Sequence, residues 1–277
     1  MPTQAEKALA FRALHQEPGS FVIPNPWDVG SARVLAALGF AALASTSAGY
    51  AFSRGRLDYG IAREEMLQHL ADLVAATPLP VSADLENGYG DSPETVAQTI
   101  ALAAAAGVVG GSIEDSTQRK DTPIYPLAQA VERIRAASEA ARALPFAFTL
   151  TARAENYFVG KPDLADTITR LQAYQEAGAD VLYAPGLKTE EDIAQVLRSI
   201  DRPLNVLMGT KGFQLSVQTL TKLGVKRIST GGSLALAALG GLVRAAKELR
   251  EPGSFGYADE ALSGREIYQL LKTPPAA

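Results

Sequence analysis

Apolar residues in this chain fall into short unbroken runs, separated by longer segments in which they recur every three or four positions. The runs are FVIPNP (21–26), AALAST (41–46), LPVSADL (79–85), GGSIED (110–115), FAFTLTAR (146–153), DVLYAP (180–185), PLNVLM (203–208) and KRISTGG (226–232). Between them lie segments such as SPETVAQTIALAAAAG and DLADTITRLQAYQEAGA, rich in alanine and periodic like amphipathic helices. A run that is apolar throughout reads as a strand covered on both faces, which is the condition of a parallel sheet. Strands of this kind, each followed by a helix, predict an α/β protein built as a (β/α)8 barrel. A doubly wound open sheet shows the same alternation, but no Gly-x-Gly-x-x-Gly fingerprint follows the first strand.

Punctuation agrees with this division. Ser92-Pro93-Glu94 is a helix cap followed by proline at the first helical position, and Gly39, Gly107, Gly178 and Gly224 stand where helices should end. No linker of biased composition divides residues 1–250, which read as one barrel domain. After Arg250 the chain breaks at Pro252-Gly253 and resumes as a helix, so 251–277 is expected to be a C-terminal helical arm with a frayed TPPAA end.

Composition narrows the chemistry. The 277 residues suit one such barrel, and 47% hydrophobic with 20% charged residues predicts a packed core. Net charge is −4, and no basic run could track a phosphate backbone, so nucleic acid is not an expected partner. Cysteine is absent, which removes disulfides, thiolate metal sites and thiol catalysis. His15 and His69 are the two histidines, too few for a multi-histidine zinc site and poor material for a His-based triad. The start of the chain reads as an amphipathic helix rather than a signal peptide. The longest apolar run, GGSLALAALGGLV, is too short to span a bilayer. A cytoplasmic protein with no membrane partner is the expectation.

Functional residues of an α/β barrel gather at the C-terminal ends of its strands. Those ends hold Ser45, Thr46 and Ser47, with Asp58 in the loop beyond them. They also hold Asp84 and Glu86, Glu114 and Asp115, Arg153 and Glu155, and Asn205 lies in the seventh strand. Asp84 and Glu86 are two apart, so on a strand both would face one way. Carboxylates brought together raise one another's pKa or require a cation, and a hard divalent ion such as Mg2+ meets that need. Asn87-Gly88 is equally a turn dipeptide, so a metal shelf and a solvated turn both fit the pair. The cap at Ser92 and the helical period after it speak against a hairpin. Arg153 calls for a carboxylate partner, either a neighbouring acid or a substrate. The STSAG turn can hold an anionic oxygen or be a polar loop, and STGGS (229–233) can be a phosphate loop or a helix-packing pair. Trp27 and Asp28 can line a site or staple and cap the first barrel helix.

Taken in order, NPWDVGSARVLAALGF, the STSAG turn, Asp58, SADLENGYG, SIEDS, TARAE and GADVLYAPG resemble the isocitrate lyase/phosphoenolpyruvate mutase superfamily, over about residues 20–245. The resemblance implies a barrel whose eighth helix is swapped between subunits, in a homotetramer built as a dimer of dimers. It implies Mg2+, for which Mn2+ can substitute, held by Asp84, with Asp58, Glu86 and Glu114 acting mostly through water. It implies a small 2-oxo or dicarboxylic acid chelated to that ion. The substrate carboxylate would meet Ser45, Thr46 and Ser47, with Trp27 and Asn205 as further substrate-binding residues. Arg153 and Glu114 would be the catalytic pair, Arg153 stabilising the oxyanion beside a breaking C–C or P–C bond.

Two departures qualify what is implied. The lyases carry a catalytic cysteine in a loop after the fourth strand; here that loop is STQRKDTPIYP (116–126), without cysteine or histidine. At the end of the sixth strand, where relatives place Glu or His, this chain has Pro185. Arg119 and Lys120 are the loop's cations, either meeting an acidic substrate tail or simply solvated. The expectation is a Mg-dependent C–C lyase or decarboxylase acting on a 2-oxo or 2-hydroxy dicarboxylic acid through a metal-stabilised enolate. A 2-oxo acid binding protein with weak or no turnover is the alternative, followed by a P–C mutase or hydrolase acting on phosphonopyruvate.

Overall fold

The computed structural model describes residues 2–272. All eight expected strands form. They are β1 Phe21–Ile23, β2 Leu43–Ala44, β3 Val81–Asp84, β4 Gly110–Glu114, β5 Thr149–Arg153, β6 Val181–Tyr183, β7 Leu204–Leu207 and β8 Arg227–Ser229. They pair in parallel in the order β1-β8-β7-β6-β5-β4-β3-β2. The remaining seam is closed just beyond β1. There the Ala44 N–H donates to the Pro24 carbonyl at 3.1 Å, and the Asn25 side-chain amide donates to the Ser45 carbonyl at 2.8 Å. The result is a (β/α)8 barrel, as the alternation of runs and periodic segments predicts.

The helices are α1 Gln4–Gln16, α2 Val29–Ala37, α3 Ser47–Ser53, α4 Arg63–Ala76, α5 Pro93–Ala105, α6 Leu127–Arg142, α7 Leu164–Glu176, α8 Glu190–Ser199, α9 Val217–Leu223, α10 Ser233–Arg250 and α11 Gly264–Lys272. Side-chain alternation along the strands sorts the core. Val81, Ala83, Ile113, Leu150, Leu182, Leu204, Val206 and Ile228 point outward into one apolar cluster. Leu70 of α4, Ile100 of α5, Ile134 of α6, Leu171 of α7, Ile193 of α8 and Leu220 of α9 meet them there. The alternate, inward positions are Ser82, Asp84, Ser112, Glu114, Thr151, Arg153, Asn205, Arg227 and Ser229. Most barrels fill this interior with branched apolar layers. Here it is polar over much of its depth, and that polarity makes room for a site.

The N-terminal mouth is plugged. Helix α1 is capped by Thr3, whose side chain accepts from the Glu6 N–H, and it lays Ala8 and Phe11 against Ile23, Ala42, Ala44 and Val109. Lys7 Nζ donates to the Thr77 carbonyl at 3.0 Å and Gln4 to the Ala104 carbonyl at 2.7 Å, which ties the first turn of α1 to the barrel.

The eighth barrel helix, α10, buries only Ala235 and leaves Leu236, Leu239, Leu242, Val243 and Leu249 exposed. Helix α11 returns to α2, where Arg33 donates to the Leu271 carbonyl. The TPPAA segment, 273–277, expected to fray, lies outside the described residues. Among the described residues no helix is long and apolar enough to cross a membrane.

Candidate active site

A cavity of about 120 Å3 opens at the C-terminal mouth, well below the 300–1,000 Å3 of drug-sized sites. Its wall gathers Ser45, Thr46, Ser47, Asp58, Asp84, Glu114, Arg153 and Asn205 from six places in the chain. Most of the residues selected from strand ends are therefore neighbours.

Arg153 is the hub. Its Nη1 lies 3.1 Å from Asp84 and 3.2 Å from Glu114, its Nε donates to Glu155 at 3.0 Å, and its Nη2 lies 2.9 Å from the same Glu155 oxygen. Three carboxylates thus surround one guanidinium. Burial pushes the pKa of Glu114 well above the usual carboxylate range, against the pull of Arg153. Burial likewise lifts Glu155 to about 7, again opposed by Arg153.

The turn after β2 holds Asp84. Thr46 caps α3 by accepting from the Gly49 N–H at 3.2 Å, which aims the first turn of α3 at the neighbouring strand. The Ser47 N–H and hydroxyl both reach Asp84 Oδ2 at 3.0 Å, and the Asp84 N–H donates to Ser45 Oγ at 2.8 Å. The Ser47 hydroxyl also lies 3.2 Å from Asp58. Loss of hydration, then the charge on Asp84, raises the Asp58 pKa although the residue as a whole stays exposed.

SADLENGYG is neither a hairpin nor an extended shelf. Strand β3 ends at Asp84, and Glu86 and Tyr89 take φ of +50° and +61°. Such values are uncommon for residues other than glycine, and they mark a backbone held by its surroundings. Gly88, at φ +81°, sits so close to Val96 that a Cβ would lie 2.9 Å from its Cγ2. The expected same-face pairing of Asp84 and Glu86 is therefore corrected: the strand stops before Glu86, so the alternation rule no longer applies. Glu86 lines an adjoining cavity with Tyr89 and Gln118 instead. It is buried, one of its oxygens has no hydrogen-bond partner, and Gln118 reaches the other at 3.4 Å. Burial, then the charges on Asp84 and Asp58, push its pKa up to about 8.

These acids fit a hard cation. Asp58 and Glu86 are both raised by the charge of Asp84, and Glu86 carries an unpaired oxygen. Among the described residues, no three acidic or histidine side chains converge to ligate one ion directly. A divalent ion that keeps several waters needs only one or two carboxylates, as Mg2+ does.

Other calls separate. Trp27 is not in the cavity wall: its N–H donates to Ser31, Asp28 caps α2, and its Cβ packs beside Gly49. Asp115 faces away, bonded to Arg170, Tyr174 and the Glu155 N–H. Arg119 pairs with Asp91 at 2.8 Å, so it does not stand free to meet a ligand. His15 and His69 play no part at the cavity: His15 sits beside Phe11 and Phe21, and His69 stacks on Tyr50.

Three residues of the wall escaped sequence reasoning. Tyr59, at φ +62°, donates its hydroxyl to Glu114 at 2.8 Å. Burial, then the charge on Glu114, keeps it protonated far above neutral pH. Asn25 accepts from the Thr230 and Gly231 N–H groups at 2.9 Å each and so ties β1 to β8. Arg227 is the third. The available signal for it was one charged residue inside the apolar run of the eighth strand.

The family model for phosphoenolpyruvate phosphomutase matches residues 11–250. The chain belongs to the isocitrate lyase/phosphoenolpyruvate mutase superfamily. Within that superfamily, a Burkholderia cenocepacia protein assigned as a lyase/mutase has a crystal structure 62% identical to this chain, covering 98% of each, with a TM-score of 0.96. Oxaloacetate decarboxylase of Pseudomonas putida is 29% identical over 86% of this chain and 84% of its own. A phosphonopyruvate hydrolase in complex with oxalate and Mg2+ is 25% identical over 95% and 94%, with a TM-score of 0.83. The chain is accordingly an enzyme of the lyase/mutase type.

Proposed function

We propose that the protein is a Mg2+-dependent carbon–carbon lyase or decarboxylase acting on a 2-oxo or 2-hydroxy dicarboxylic acid through an enolate. The observation that carries this reading is the Arg153 hub, with Asp84 and Glu114 at 3.1 and 3.2 Å in one small cavity with the Ser45–Ser47 turn. Asp84 would hold Mg2+ directly, with Asp58, Glu86 and Glu114 reached through water. When bound there, the ion supplies Lewis-acid polarisation of the 2-oxo group. Arg153 donates to the oxygen on which charge develops, and its three carboxylates keep it oriented before substrate arrives. Ser47 holds Asp84 in one rotamer. Decarboxylation returns one proton to the enolate carbon, which water or a weak acid can supply, and the Tyr59 hydroxyl, which donates to Glu114 at 2.8 Å, lies on the cavity wall. This chemistry does not require the cysteine that the 116–126 loop lacks.

The exposed leucines of α10 support a homo-oligomer, a tetramer built as a dimer of dimers in which this helix is exchanged between subunits. The loop's lack of a thiol favours a second reading, a 2-oxo acid binding protein with little turnover. Calorimetry showing tight Mg2+-dependent binding with no product would select it.

The lyase reading is tested by pyruvate release from a panel of 2-oxo and 2-hydroxy dicarboxylic acids, oxaloacetate first. Release should stop in EDTA, return with Mg2+, and fall on the order of 10³-fold in Asp84→Ala. Full activity in excess EDTA overturns it.

A further inference from the structure

The cavity floor holds a cation that this chemistry does not use. Arg227 opens β8, and strand alternation turns it into the barrel together with Ser229. It is 4% exposed, yet it lines the same cavity as Asp84 and Arg153. Its Nη1 donates to Thr151 Oγ1 at 3.1 Å, its guanidinium lies 5.8 Å from the Phe11 ring centroid, and its Nε has no partner. Beside it, Asn205 donates to Ser229 Oγ at 2.9 Å while its own Oδ1 is also unpaired.

The other buried or loop arginines near the site are paired with acids or, as Arg133 is, held by three backbone carbonyls, those of Asn87, Gly90 and Asp91. Arg153 has three carboxylates, Arg170 has Asp115 and Asp166, and Arg119 has Asp91. Among the described residues no acid forms an ion pair with Arg227. A guanidinium stays charged in a protein, and burying that charge without a counter-ion costs several kcal/mol. A fold keeps such a group when a ligand supplies the missing anion, and a planar fork suits a carboxylate. The burial is felt: it pushes the Arg227 pKa down to about 10, partly offset by Tyr183 and Asp84 and reinforced by the charge of Arg153.

We propose that Arg227, backed by Asn205, forms a subsite for the second carboxylate of the substrate and so selects dicarboxylic over monocarboxylic 2-oxo acids. This rests on reading the Asp84–Arg153 end as the 2-oxo acid site, and it deepens that reading. The ligand lies along the barrel axis, with its 2-oxo end at the mouth and its tail at the floor. The Asn205 amide can turn over, accepting from Ser229 and donating to the carboxylate. The tail is then read inside the barrel rather than by Arg119 and Lys120 in the loop.

The test is calorimetric binding in Mg2+ of oxalate, pyruvate, oxaloacetate and 2-oxoglutarate, to wild type, Arg227→Met and Arg227→Lys, each checked by thermal melting. Wild type should bind at least one of the two longer dicarboxylates about tenfold or more above pyruvate. Arg227→Met should weaken that dicarboxylate by about 30-fold, the range of a charge-assisted hydrogen bond, and leave oxalate and pyruvate within about threefold. Arg227→Lys keeps the charge without the fork and should fall between the two. It also carries the test if the Met variant does not fold. Equal weakening of all four probes, or no dicarboxylate advantage in wild type, overturns the subsite and leaves the 2-oxo acid site standing. Failure of wild type to bind even oxalate or pyruvate overturns both readings.

Discussion

At the N-terminal mouth of the barrel, Ala8 and Phe11 of α1 lie against Ile23, Ala44 and Val109, and the buried His15 stands edge-on to Phe11 and Phe21. At the C-terminal mouth, the corresponding space holds Asp84, Glu114 and Glu155 around Arg153. The first arrangement gains from every apolar atom removed from water. The second buries charge whose mutual attraction does little more than offset its desolvation. One end of the barrel is thus built to stabilise and the other to react, and substitutions at each end should separate these roles.

The comparison is broken most sharply by Arg153→Gln. Glu114 and Glu155 are 2% and 1% exposed and would lose their counter-charge, so the variant should lose roughly 3–5 kcal/mol of stability as well as activity, the latter by about 10²–10³-fold. Both acids already have raised pKa values. Acidification should therefore restore part of the stability, as they take up protons, without restoring turnover. A variant that melts like wild type at pH 8 would show that the hub contributes nothing to the fold.

Phe11→Ala is the counterpart at the other mouth. It removes a fully buried ring and should cost about 3–5 kcal/mol. Activity per folded molecule should stay within about twofold, because no atom of Phe11 lines the cavity. Its one route to the site is the Arg227 guanidinium stacked above it. A selective loss of dicarboxylate binding in the folded variant would show that the plug positions this cation.

What was legible in the sequence follows the same division. Eight strands stood out because residues buried on both faces leave continuous apolar runs, and the strand-end rule then selected Asp84, Glu114, Arg153 and the Ser45–Ser47 turn. Glu86 was misread in direction, because a left-handed backbone at a non-glycine residue has no signature in the sequence. Trp27 was placed in the site because a cap and a cavity wall call for similar residues. Tyr59 and Arg227 were missed for a different reason. A tyrosine in a polar loop or one arginine in a strand gains meaning only from a partner far along the chain, Glu114 for the first and an empty counter-charge position for the second. Family membership could be recognised from ordered motifs, whereas the subsite depends on depth inside the barrel, which spacing does not encode.

The smallest expected effect is a pH response of opposite sign from the buried histidines and from the acids of the C-terminal mouth. Burial lowers the pKa of His15 to about 3 and of His69 to about 4, from an ordinary 6.5. Below pH 6.5 the unfolded chain takes up protons that the folded one refuses. Stability present above that pH is then lost as pH falls, by at most about 1.4 kcal/mol per pH unit for each histidine. Glu86 and Glu155 are raised to about 8 and 7, chiefly by burial. The stability tied to their bound protons is present below the ordinary carboxylate value of 4.5 and is lost progressively from there until pH has passed 7 and 8. The two responses oppose each other between about pH 4.5 and 6.5, and metal-free protein should lose stability from pH 6.5 to 8, where the acids alone respond. His15→Gln should remove the histidine's share of the response between pH 6.5 and 4, and Glu86→Gln should flatten the loss between pH 6.5 and 8. If Glu86→Gln left the slope between pH 6.5 and 8 unchanged, Glu86 would be ionised in the folded protein at neutral pH, and the case for a cation held near it would lose its electrostatic support.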